Sequence, residues 1–87
     1  MKDATVTVNN PHGLHMRVAA EVVRRCMGFE SAITLCKDCT VADVCSIMQL
    51  VMLGAAKGSE LKIIAAGGDE SAAVRELSSF FSEGGGI

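Results

Sequence analysis

Apolar and polar residues alternate over Thr5-Val6-Thr7-Val8, the period-two pattern of a strand with one buried face. Asn9-Asn10-Pro11-His12-Gly13 is a dense run of turn formers that ends it. The period then changes. From Met16 to Met27, Ala19, Val22, Val23 and Cys26 recur at helical spacing, with Arg17, Glu21, Arg24 and Arg25 among the remaining positions. This predicts an amphipathic helix with Gly28 as its stop. Ala32 to Cys36 and Thr40 to Ala42 read as two strands of a hairpin about a tight turn at Lys37-Asp38. Ser46 stands in the capping position of a short apolar helix, Ile47 to Leu53, closed by Gly54. Leu61 to Ala66 is a third long strand, broken by Gly67-Gly68. Asp69-Glu70 then place acidic side chains at the positive end of a last helix, whose apolar stripe is Ala73, Val74, Leu77, Phe80 and Phe81. Ser82 to Gly86 reads as a frayed tail.

The predicted order is βαββαβα. Strands interspersed with helices in so short a chain point to one sheet covered on a single face, an open-faced sandwich of the α+β class. At 87 residues and 49% hydrophobic, one core is possible and two are not. With no linker or repeat in view, residues 1–87 are expected to form a single domain. Lys plus Arg number 8 and Asp plus Glu 10, a net charge of −2, so nothing suggests the clustered basic face that nucleic acid requires. The most apolar stretch, Ile47 to Ala56, is interrupted by Gln49 and stops at Lys57, short of the roughly 18 residues of a membrane span. No apolar leader follows Met1-Lys2-Asp3-Ala4. A cytoplasmic monomer is expected.

Without a leader, Cys26, Cys36, Cys39 and Cys45 are expected to be free thiols. Cys36-Lys37-Asp38-Cys39 has the C-x2-C spacing of a zinc knuckle, but the spacings to Cys26 and Cys45 match no standard ligand set. No metal site is expected.

The segment with most chemistry is Gly13-Leu14-His15-Met16-Arg17. His15 falls where a glycine turn meets a helix, so its ring lies beside the unpaired N–H groups and positive dipole end that attract an anion. Imidazole is partly neutral, hence nucleophilic, near pH 7, and Arg17 could lay its guanidinium fork against a phosphoryl group on that ring. Together these suit capture and release of a phosphoryl group. From spacing alone, a histidine before a helix is more often a cap or a solvated surface residue. His12 has no arginine at a matching offset and reads as a turn residue.

Gly13-Leu14-His15-Met16-Arg17 resembles the active-site motif of the histidine-containing phosphocarrier (HPr) family of the phosphoenolpyruvate-dependent sugar phosphotransferase system. Ser46 to Gly54 resembles the same family's regulatory-serine helix, and the similarity runs without evident gaps from about Ala4 to Phe81. The resemblance implies a four-stranded antiparallel sheet with three helices on one face. It implies that His15 accepts a phosphoryl group on Nδ1 from phosphorylated enzyme I and passes it to enzyme IIA domains in sugar uptake. The protein would then be a carrier rather than an enzyme, with no cofactor, and Arg17 would steady the phosphate. Met16, Ala20, Arg24, Met27, Ile47, Met48, Val51 and Met52 would form an apolar docking patch, suited to partners of several shapes because methionine repacks readily; methionines at such spacing equally fill cores. Ser46 would be the target of a serine kinase or phosphorylase. A regulatory carrier of the nitrogen branch, or a signalling module controlled at His15 and Ser46, is the alternative. Two departures stand out. The family's proline after the arginine is Val18, which should loosen the helix start modestly, and Met16 replaces a smaller residue. Cys45 precedes Ser46 where a basic or polar residue is usual, and Cys39 occupies a frequent glycine position.

Overall fold

The computed structural model describes residues 1–83. Its elements are β1 (Lys2–Thr7), α1 (Met16–Cys26), β2 (Ala32–Lys37), β3 (Thr40–Asp43), α2 (Ile47–Met52), β4 (Glu60–Ala66) and α3 (Glu70–Ser82), the predicted order. The strands form one sheet, β1-β4-β2-β3, in which every neighbouring pair is antiparallel. Its register sorts the two faces. Ala4, Ile63, Leu35 and Ala42 are aligned across the covered face, and Thr5, Lys62, Cys36 and Val41 across the open one. Side chains alternate along a strand, so Leu61, Ile63 and Ala65 of β4 are buried while Lys62 is exposed.

The three helices lie on the covered face. α3 packs on β1 and β4, α2 on β3, and α1 against both helices. Val18, Ala19, Val22 and Cys26 are the buried stripe of α1, and Ala73, Leu77, Phe80 and Phe81 that of α3. Phe80 and Phe81 meet edge to face, ring centroids 5.2 Å apart. Val18, where the family has proline, is 3% exposed, and α1 nonetheless begins at Met16.

Several boundaries differ from expectation. β1 starts at Lys2 rather than Thr5 because β4 is long enough to pair with it as far as Ala65. The hairpin turn is one residue later than predicted: Lys37 pairs with Thr40, and Asp38 takes the left-handed conformation (φ +54°), which aspartate tolerates better than most residues. Cys39 therefore does not need glycine's freedom. Gly28 follows α1 without a positive φ; the helix closes instead through Met27, whose N–H bonds to the Arg24 carbonyl, and Phe29, whose N–H bonds to that of Cys26. Ser82, read as tail, is the last residue of α3, and the rest of that tail beyond Glu83 lies outside the described residues.

Candidate functional site

The start of α1 is fixed by the turn that precedes it. The Asn10 side-chain oxygen accepts the His12 N–H at 2.9 Å, and the Asn10 carbonyl accepts the Gly13 N–H at 3.0 Å. Gly13 has φ +71°, and a Cβ there would run into the Ala55 carbonyl oxygen and reach 3.0 Å from the Ala56 Cα. Only glycine lets this turn close on the segment after α2. Leu14 completes the anchor: its side chain is buried and its N–H bonds to the Ala55 carbonyl at 2.8 Å.

That anchoring delivers His15 as the N-cap of α1, half-buried, with extended backbone (φ −86°, ψ 176°). Its Nδ1 accepts the Arg17 N–H at 3.3 Å and its carbonyl accepts that of Ala19. With Nδ1 accepting, the neutral ring holds its proton on Nε2, so the Nδ1 lone pair is directed at the Arg17 N–H. The capping bond thus fixes Nδ1 of His15 at the first turn of α1. The Arg17 side chain is exposed and, among the described residues, forms no salt bridge, leaving its guanidinium available to an anion.

One residue at this site escaped the reading of the sequence. The His12 ring lies edge-on to that of His15, centroids 5.9 Å apart and planes at 78°. The three-residue spacing across Gly13 was the available signal, but a turn has no fixed period from which to infer a side-chain meeting.

Ser46 caps α2 as expected, its hydroxyl accepting the Gln49 N–H at 3.3 Å, while the Gln49 side-chain oxygen accepts the Asp43 N–H at 2.9 Å. Met16, Ala20, Arg24 and Met27 follow one another at i, i+4, i+8 and i+11, one stripe of α1, and all four are exposed. Met48 and Met52 are exposed on α2, whereas Ile47 and Val51 are half-buried and pack against the core. The core contains no methionine, so these four methionines are surface rather than filling. Arg24 is paired with Glu21 (Nε to Oε1, 3.1 Å), and this hydrogen bond is the first cause holding the Glu21 carboxyl below its ordinary range.

The four cysteines are free. Burial, with Cys45 and Glu76 nearby, pushes the Cys26 thiol up to about 12, the reverse of what a metal-bound thiolate needs. Among the described residues, no group of three or more His, Cys, Asp or Glu is placed to hold a metal ion.

Residues 2–83 match the family described as "PTS HPr component phosphorylation site". The chain is 38% identical over 77 residues to the phosphocarrier protein HPr of Treponema pallidum, covering 88% of each chain. It is 32% identical over 81 residues to the phosphocarrier protein NPr of Escherichia coli K12, covering 92% of this chain and 90% of that one. It also matches a multiphosphoryl transfer protein of Haemophilus influenzae, 35% identical, but spans only 17% of that protein's length. Among solved structures, an HPr from Thermoanaerobacter tengcongensis superposes with a TM-score of 0.94 at 34% identity, covering 100% of this chain and 98% of that one. With a family match over nearly all of its length and an HPr-like sheet and helices beneath it, the chain belongs to the HPr family of phosphocarriers of the phosphotransferase system.

Proposed function

We propose that this chain is a single-domain carrier that holds a phosphoryl group on Nδ1 of His15. The observation that supports this most directly is the His15 cap: Nδ1 already accepts a first-turn N–H of α1, that of Arg17. In the transfer, the Nδ1 lone pair forms a bond to phosphorus as the donor's nitrogen–phosphorus bond breaks, and the proton of the His15 ring ends on the donor's. The phosphoryl oxygens then take up first-turn N–H groups and the Arg17 guanidinium. Enzyme I is the donor in this reading and enzyme IIA domains are the acceptors, each docking on the exposed stripe of Met16, Ala20, Arg24 and Met27 with Met48 and Met52. Phosphorylation of Ser46 by a serine kinase would place about two negative charges next to Met48 and oppose docking.

A second reading, a regulatory carrier of the nitrogen branch, is supported by the similarity to NPr. The test of the common chemistry is intact mass and ³¹P NMR after incubation with phosphoenolpyruvate and purified enzyme I. One acid-labile phosphoryl group is expected, absent in His15→Ala; no gain in mass would overturn the proposal. A sugar-uptake defect on gene deletion then favours the first reading, and unchanged uptake the second.

A further inference from the structure

Two of the four free thiols are brought to one end of the helical layer. The start of α1 is bonded to the segment after α2, the Leu14 N–H to the Ala55 carbonyl at 2.8 Å, and the two helices pack on one another. They therefore run in opposite directions, which carries Cys26, the last residue of α1, toward Cys45, the residue before the Ser46 cap of α2. The start of β2 brings the same two positions together. Phe29, whose N–H bonds to the Cys26 carbonyl at 3.1 Å, leads the chain toward that strand, and the Val44 N–H bonds to the Ile33 carbonyl within it at 3.2 Å. Cys45 is held next to Val44 by its own N–H, which bonds to the Asp43 carboxylate at 2.9 Å. The two thiols differ in access: Cys26 is 5% exposed, whereas Cys45 is open to solvent. Burial first, then the neighbouring Cys45 thiol, raises Cys26 to about 12.

We propose that Cys26 and Cys45 are a thiol pair that reacts with small-molecule disulfides and closes to an intramolecular disulfide beside Ser46. The reaction is two successive exchanges. The Cys45 thiolate attacks one sulfur of the small disulfide, whose S–S bond breaks and releases one thiolate. Cys26 then gives its proton to solvent and attacks the Cys45 sulfur, and the second small thiolate leaves. Two protein thiols are oxidised, and one small disulfide is reduced to two thiols. Exposure sets the order, because Cys45 meets a solute and Cys26 does not. Reversal by small thiols is slow for two reasons. The buried Cys26 sulfur is shielded from attack, and attack at Cys45 must expel Cys26, a poor leaving group because its thiol is weakly acidic. The bond ties the end of α1 to the entry of α2 across about 20 residues and so restricts the unfolded chain.

The test is incubation of the reduced protein with excess oxidised glutathione, followed by intact mass and thiol titration. The parent should lose two hydrogens, about 2 Da, with no retained glutathione, and its four free thiols should fall to two. The double variant Cys36→Ser with Cys39→Ser should lose the same two hydrogens, which assigns the bond to the remaining pair. Cys45→Ser, a change at an exposed position, should not close it. Thermal melts followed by circular dichroism should show the midpoint of the oxidised double variant about 10 °C above that of its reduced form. A lasting glutathione adduct with Cys26 still free, a disulfide-linked dimer, no loss of mass, or a midpoint that does not rise overturns the inference. Potassium phosphoramidate, a small phosphoryl donor that needs no protein partner, checks that the closed form is native. His15 lies at the other end of α1, so on the reading of His15 as the acceptor both forms should be phosphorylated at the same rate. A closed form that has lost this reaction is bridged in a distorted chain, which also overturns the inference. No reaction in either form overturns the reading of His15 instead and leaves the thiol pair to be decided by mass and melting.

Discussion

Gly13 shows how one residue without a side chain sets the position of another, His15, to which the proposed function assigns the chemistry. Its positive φ and its approach to Ala55 and Ala56 allow the 9–13 turn to press against the segment after α2, and His15 inherits its place from that contact. Gly13→Ala meets two costs, a left-handed backbone and an overlap with a carbonyl oxygen that belongs to the main chain and cannot rotate aside. We expect a loss of about 2 kcal/mol or more in urea unfolding, and a change in the His15 ring resonances showing that its capping bond is disturbed. A variant as stable as the parent would mean that the turn relaxes at little cost. The contrast with His12 is instructive at the same scale. Gly13, His15 and Arg17 are legible in the sequence because their relation is local: a turn glycine, a cap and a first-turn cation lie within five residues. The meeting of His12 with His15 depends on how the turn folds back, which spacing alone does not state.

At the scale of elements, periodicity located every strand and helix, while the ends were settled by neighbours. β1 is extended by its pairing with β4, and the hairpin turn shifts to Asp38 because Lys37 still finds Thr40 as a partner. Asp69 is the clearest case of a residue whose role lies between elements. The sequence places it as an acidic opening of α3, and it does occupy the N-cap, yet its side chain makes no capping bond there. One carboxylate oxygen accepts the Glu30 N–H at 2.8 Å, and the other accepts both the Ser31 N–H at 2.9 Å and the Ser31 hydroxyl. The start of α3 is thereby tied to the approach to β2. The Ser31 hydroxyl, followed by the Glu30 N–H, holds the Asp69 carboxyl below its ordinary range. A carboxyl depressed in the folded state adds stability above its unfolded value, near 3.9, and loses it as pH falls through the depressed folded value. Asp69→Asn removes the charge and leaves one of the two backbone donors facing an amide NH₂. Thermal melts should show the variant less stable than the parent by a constant margin above about pH 5, with the margin shrinking as the solution is acidified through pH 4 and below. A margin unchanged down to pH 2 would show that the tie does not depend on the charge.

Across the whole molecule, the sheet register and the helix stripes divide the surface into unequal parts. The open face of the sheet carries Thr5, Lys62, Cys36 and Val41, whereas α1 and α2 present Met16, Met27, Met48 and Met52 at 60, 77, 62 and 75% exposure. Sequence pattern could not separate these methionines from core filling, because Met27 and Met48 are far apart in the chain and belong to one surface only once α1 has packed on α2. Exposed apolar side chains contribute little to folding, so replacing them isolates the docking role assigned to them under the proposed function. Met48→Gln with Met52→Gln should leave stability within about 0.5 kcal/mol of the parent. Contacts of this kind matter far more in an interface core than on a free surface, and losing two should slow charging by enzyme I by about tenfold or more. Phosphoramidate requires no docking, so its rate with the double variant should match the parent. A parallel fall in both rates would place the damage in the phosphoryl site instead, and unchanged charging by enzyme I would move the partner's footprint away from α2.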